Sequence, residues 1–228
     1  MAGIAEPGES VTAARCEVSL VQAYLHAKRA VLSSPYSLEL LAVSRGPQTL
    51  SESQFLRELA WVILSGGMAE AVIRRKFPDI SSSFYDWQSA RRIADCPAEC
   101  VTSALRHFRH EGKIWAIATA ASMVAAADSF QSLKERMLAD PIRELQSFPY
   151  IGPITAFHIA KNIGVKVAKP DRHMTRLARS NGFQSAQEFC QTIARFLGED
   201  IRVVDSVLWR FATMHNDYAR RFSQFMVA

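Results

Sequence analysis

Apolar residues recur at helical spacing along almost the whole chain. The run CEVSLVQAYLHAKRAVL keeps that spacing from Val18 to Val31. SESQFLRELAWVILS opens with Ser and Glu where a helix N-terminus wants them, carries Phe55, Leu56, Leu59 and Ile63 on one side, and stops at Gly66-Gly67. MAEAVIRRKF predicts a short helix ending before Pro78, because proline removes a donor and crowds the preceding turn. Further helices fit residues 97–110, 113–127, 129–139 and 141–147, with Cys96-Pro97 and Asp140-Pro141 each reading as a cap followed by a first-turn proline. SAQEFCQTIARFLG and DIRVVDSVLWRFATMHNDYARRF complete the set. No alternating stretch is long enough for a sheet, and there is no repeat or low-complexity run, so the pattern predicts an all-α protein.

The pattern is interrupted at residues 148–164, FPYIGPITAFHIAKNIG, where one helix ends at Phe148 and another begins at once. Gly152 permits positive φ or the close approach of another backbone, Pro153 suits a first helical position, and Gly164 suits a C-terminal stop. Such a turn exposes the free N–H groups that open the second helix, and with the helix dipole they form an anion site. Shortly afterwards comes KPDRHMTRLARSNGF. Asp171 occupies an N-cap position, Met174, Leu177 and Ala178 form the next apolar stripe, and Arg172, Arg176 and Arg179 decorate the same helix.

LQSFPYIGPITAFHIAKNIG followed by VAKPDRHMTRLA resembles the hairpin and catalytic loop of the helix-hairpin-helix GPD (HhH-GPD) DNA glycosylases. That family has a Leu-Pro-Gly-x-Gly-x-x-Thr-Ala hairpin and a Val-Asp-x-His-x-x-Arg stretch. Phe148, Pro149, Gly152, Thr155 and Ala156 fill the first; Asp171, His173 and Arg176 fill the second. Upstream, FLRELAWVILSGGMAEAVIRRKF is similar to the family's helix, Leu-Ser-x-Gln turn and following helix, and HEGKIWAIATAASMV to its Lys-Ala-x-x-Ile helix. The likeness covers about residues 50–180. It implies a two-lobed helical fold with a cleft between lobes: a leader over 1–15, one lobe from 16–50 and 141–228, a central lobe over 51–140, and the hairpin 145–164 and catalytic loop 165–172 at the cleft. It also implies double-stranded DNA as partner, gripped by the amides of Gly152, Ile154 and Thr155, with Asp171 as the carboxylate that stabilises the sugar cation as the base leaves. The target base is flipped out of the stack. No cofactor is required, a structural monovalent cation at the hairpin is admitted, and no obligate protein partner is inferred.

Three departures matter. Ile154 stands where the strand-cleaving relatives carry a lysine nucleophile, which argues for a monofunctional enzyme; Lys161 and Lys169 match no family position. The four-cysteine iron–sulfur spacing is missing, with Cys190 as the one cysteine after Asp171. Gly67 replaces the Gln of the family turn, with Met68 next, so the group that fills the hole left by a flipped base is open.

The chain's 228 residues carry 27 Lys and Arg against 22 Asp and Glu, a net +5 that permits a nucleic-acid partner without demanding one. No window is apolar enough to span a membrane, and MAGIAEPGES lacks signal-peptide order, so the sequence is read as cytoplasmic with a flexible leader and reduced cysteines. Cys96, Cys100, His107 and His110 fit an ordinary helix surface better than a zinc site, since one straight helix aims two ligands at one metal. Of the aromatics that could line a base pocket, Tyr24, Tyr36, Trp61, Trp115 and Trp209, Trp61 and Trp115 are left in the core by their apolar stripes and Tyr36 and Trp209 are the better pocket candidates, with Gly67 and Met68 as the other pocket or wedge residues. Two alternatives stay open: Asp171 as an N-cap only, and the chain as a non-catalytic helix-hairpin-helix DNA-binding module. If the chain is a glycosylase, its substrate is either a repair lesion (alkylated, oxidised or deaminated) or a bulky phage-type modified cytosine.

Overall fold

The computed structural model describes residues 7–42 and 49–226. They form α-helices joined by turns, with no strand among the described residues, as the periodicity predicts. Residues 1–6 of the expected leader lie outside the described residues, and a helix already runs from Pro7. The chain divides into two compact units, Met1–Ser44 with Lys166–Ala228, and Arg45–Val165. The division falls after residue 165 and not after residue 140, because the hairpin helices pack onto the central segment.

The Arg45–Val165 unit holds α3 (Glu52–Ser65), α4 (Glu70–Ser83), α5 (Ala90–Asp95), α6 (Pro97–Leu105), α7 (Glu111–Ala125), α8 (Phe130–Ala139), α9 (Pro141–Gln146) and α10 (Pro153–Asn162). Its centre is α7, whose Ile114, Ala116, Ile117, Ala120, Ala121 and Val124 are all buried, the mark of a helix surrounded by others. Small alanines let α3, α5 and α6 approach it closely. Ser51 and Gln54 close α3 with a reciprocal capping box. The helix expected to stop before Pro78 continues through it to Ser83. Ile73, Phe77 and Ile80 are buried on both sides of the proline, and that packing outweighs the lost hydrogen bond. The expected 97–110 helix ends at Leu105.

The other unit holds α1 (Pro7–Leu32), α2 (Ser37–Ala42), α11 (Arg172–Ser180), α12 (Ala186–Leu197), α13 (Ile201–Met214) and α14 (Tyr218–Ser223). Leu20, Tyr24, Ala27 and Val31 of α1 pack with Met174 and Leu177 of α11, Phe189 and Ile193 of α12, Val204, Leu208 and Phe211 of α13 and Phe222 of α14. The single helix expected over 200–222 is broken after Met214, where His215 takes an extended conformation.

Candidate functional site

Two places carry the candidate chemistry, one in each unit. The first is the turn between α9 and α10. Leu145, Phe148 and Ile151 are buried, and Phe148 meets Phe55 of α3 edge-on with ring centroids 5.7 Å apart, so the turn is pinned from beneath. Tyr150 makes the reversal with φ 64, a left-handed conformation uncommon for a non-glycine residue, and its ring stands half exposed. Gly152 does not take the positive φ that its sequence position allowed: at φ −86 and ψ −178 it is the extended N-cap of α10. A Cβ there would meet Thr155 Oγ1 at an ordinary 3.9 Å. Neither backbone conformation nor packing inside the unit demands glycine, so its remaining contributions are a tolerable N-cap and an open approach to the backbone.

Helix α10 starts without a side-chain cap, in contrast to α3, α8, α9, α11, α12 and α13. Pro153 at its first position has no N–H, which leaves the amides of Gly152, Ile154 and Thr155 as donors at this end. The Thr155 hydroxyl donates to the Gly152 carbonyl at 3.0 Å and braces the turn. Ile154 is 48% exposed. At the other end Gly164, with φ 103, closes α10 as expected: its amide donates to Lys161 O, and that of Val165 to Ala160 O.

The second place surrounds Asp171. Its Oδ1 accepts from the amides of His173 at 2.9 Å and Met174 at 3.1 Å, so the residue is the N-cap of α11. Its Oδ2 faces the Lys169 ammonium at 3.7 Å, and both side chains are largely buried. The Lys169 amide donates to Oδ1 of the fully buried Asp205 at 2.8 Å, which ties the loop to α13. Lys169 Nζ also lies 5.9 Å from the ring centroid of Trp209. The Arg210 guanidinium sits 4.8 Å from that ring and 4.0 Å from the ring of Tyr36. Tyr36 and Trp209, the two pocket aromatics expected from sequence, are therefore joined to Asp171 through Lys169 and Arg210, which sequence reasoning did not assign to the site. The signal for Lys169 was its place two residues before Asp171; Arg210 carried none beyond adjacency to Trp209.

His173 follows Asp171 and packs edge-on against Tyr218 at 5.3 Å. Its Nε2 accepts from Arg172 Nε at 3.3 Å, and its Nδ1 is buried without a hydrogen-bond partner. Burial pushes its pKa below the ordinary histidine value, although the Asp171 carboxylate acts the other way.

Compared with protein-family models, characterised proteins and solved structures, the chain matches none.

Gly67 and Met68 stand in the turn after α3, in the same unit as the hairpin. Gly67 has φ 71, and Met68 is 38% exposed. The turn is held by Lys113 of α7, which is 4% exposed and donates to Leu64 O at 2.6 Å and to Gly66 O. Burial lowers the pKa of this ammonium, and the negative end of the α3 dipole offsets part of that penalty. Of the other aromatics, Tyr24 is fully buried with its hydroxyl bonded to Glu199. Trp61 packs on Phe77 at 5.1 Å. Trp115 is 41% exposed and not core: α7 is apolar on nearly every side, so its pattern does not mark which residue faces out.

The four Cys and His residues weighed as zinc ligands go elsewhere. Cys96 pairs with the Tyr85 hydroxyl at 3.1 Å, Cys100 is buried, His107 faces Asp79 at 3.7 Å and His110 caps α7. Among the described residues no group of three or more His, Cys, Asp or Glu is placed to hold a metal. Cys96, Cys100 and Cys190 are in no disulfide, and the Cys16 side chain lies outside the described residues. No described helix is long and apolar enough to cross a membrane.

Proposed function

We propose that this protein is a monofunctional DNA glycosylase that hydrolyses the N-glycosidic bond of a damaged or otherwise modified base. The observation that carries the reading is the division of labour within the Asp171 carboxylate: Oδ1 is engaged by the start of α11, while Oδ2 lies beside the Lys169 ammonium, which in turn faces the ring of Trp209. A carboxylate whose orientation is fixed through one oxygen is preorganised to present the other to a developing sugar cation and to an attacking water. The uncapped start of α10 supports a strand grip, because backbone amides at a helix N-terminus suit phosphate. The reading thus assigns the grip to the Arg45–Val165 unit and the carboxylate to the other.

Ile154 provides no amine where the strand-cleaving relatives have one, so the product is an intact abasic site. The substrate is a repair lesion or a bulky phage-type modified cytosine. The test is incubation with a panel of modified duplexes and modified phage genomes, with released bases identified by mass spectrometry. The expected result is a free base, unbroken product strands and no covalent complex after borohydride reduction; efficient trapping would overturn the monofunctional assignment. A second reading, a non-catalytic DNA-binding module, draws on the same cap: two amide bonds give Asp171 a complete structural role. Under that reading no DNA in the panel loses a base.

A further inference from the structure

We infer that Lys169 acts on the departing base, and that the base accepted beside Asp171 is one that is uncharged before it leaves. The inference rests on the glycosylase reading and narrows its substrate class.

Two kinds of N-glycosidic bond make different demands. A cationic base, such as an N7-alkylated purine, departs neutral, so a carboxylate beneath the sugar is the one charge its transition state needs. An uncharged base departs with the bonding electron pair and becomes an anion. It leaves two charges to stabilise, a sugar cation and a base anion, and it needs a proton donor beside the carboxylate. The Asp171–Lys169 pair supplies both. Nζ and Oδ2 are 3.7 Å apart, so the neighbouring atoms C1′ and glycosidic nitrogen can meet the carboxylate and the ammonium respectively. Both side chains are largely buried, where such charges act strongly.

The surroundings point the same way. Aromatic faces attract cationic ligands when they are open. Here the Trp209 ring already faces two protein cations, Lys169 and Arg210, and Tyr36 faces Arg210. A cationic base brought to these rings would meet resident positive charge.

The step balances as follows. The C1′–N bond breaks with its electron pair going to the base nitrogen, which takes a proton from the Lys169 ammonium. Water adds its oxygen to C1′ and gives a proton to Asp171. Transfer of that proton from the Asp171 carboxyl to the Lys169 amine restores both groups. The sum is one water consumed, one base and one abasic sugar formed.

The test uses the full chain and duplexes carrying one modified base each: hypoxanthine, uracil, 8-oxoguanine or a 5-substituted cytosine as uncharged bases, and 7-methylguanine as the cationic one. In the parent, release of one or more uncharged bases is expected to exceed release of 7-methylguanine, each rate measured against spontaneous loss. Lys169→Met is expected to slow uncharged-base release by about 100-fold or more, the scale of general acid catalysis, and to slow release of 7-methylguanine far less or raise it, since the variant also removes one of the positive charges facing Trp209. Lys169→Arg keeps the cation beside Asp171 and over Trp209 but gives up a proton poorly. It protects the fold should methionine harm it, and it should also lose the uncharged bases selectively. Equal losses on both classes in a folded variant, no loss in either variant, or a parent that prefers 7-methylguanine would each overturn the inference. A parent that releases no base from any duplex is a different failure: it removes the glycosylase reading itself, and this inference with it.

Discussion

The cap made by Asp171 and the catalytic charge proposed for it can be separated by a single substitution. Oδ1 of Asp171 caps α11 and its Oδ2 stands beside Lys169. Asparagine is as good an N-cap as aspartate, so Asp171→Asn keeps both amide bonds and removes the charge. The expected outcome is unchanged thermal unfolding and DNA affinity, with base release reduced by at least about two orders of magnitude, the scale of a lost transition-state charge. Near-parental release by the folded variant would show that the carboxylate is structural only. Asp171→Ala would mix the two effects, since loss of the cap alone costs about 1 kcal/mol. Asp171 was legible in the sequence because a cap before an apolar stripe is a local pattern. Its neighbourhood was legible in part: Tyr36 and Trp209 were expected near a base pocket, Lys169 and Arg210 were not. Arg210 comes to lie on Tyr36 because α13 and the segment after α1 fold together, and residues so distant in the chain leave no mark of that meeting in a one-dimensional pattern.

At the scale of elements, the longer helices were legible, the short α2 and α5 were not predicted, and helix ends were less legible than helices. α3, α8, α10 and α12 follow their predicted spans within a residue or two, because each begins at a recognisable N-terminal residue and α3, α10 and α12 stop at glycine. Pro78 misled because burial of Phe77 and Ile80 carries α4 through it, a tertiary effect that no local rule contains. Lys113 was read as part of a helix motif, but its role belongs to another helix: it satisfies carbonyls at the end of α3 and fixes the turn with Gly67 and Met68. Lys113→Met removes a buried ammonium but leaves the Leu64 and Gly66 carbonyls without that donor. Unsatisfied buried acceptors cost about 1–3 kcal/mol, and that should exceed the gain from losing the charge. The expected outcome is a lower Tm and faster amide exchange at residues 64–68. If exchange at this turn were unchanged, Lys113 would not be what holds it.

At the scale of the molecule, the division of the chain makes a prediction about the division of tasks. The resemblance places the hairpin at the cleft, with lobe bounds that divide at residue 140; the hairpin helices α9 and α10 pack with α8 and α3 and belong to the Arg45–Val165 unit. That unit is continuous in sequence, is centred on the buried α7, and contains the turn, the open start of α10 and the Gly67–Met68 loop. The unit with Asp171 is built from two segments distant in sequence. A fragment of residues 45–165 should therefore fold alone, with helical circular dichroism and a cooperative thermal transition, whereas 166–228 without α1 should not, because Leu20, Tyr24, Ala27 and Val31 complete its core. If the hairpin grips phosphate, the fragment should bind duplexes of any sequence with the affinity of non-specific contacts, about 10⁻⁴ to 10⁻⁶ M at physiological salt, and binding should weaken as salt rises. It should release no base. Gly152→Val within the fragment gives the control: the extended backbone at Gly152 accepts a side chain, and a Cβ there meets only Thr155 Oγ1, at 3.9 Å, so the fold should survive while the added bulk obstructs the approach to the α10 amides. Weaker binding by a variant with unchanged unfolding would locate the grip at the hairpin. Equal binding by the folded variant across the salt series would make the turn a structural corner, and DNA contact would then have to be sought elsewhere on the chain.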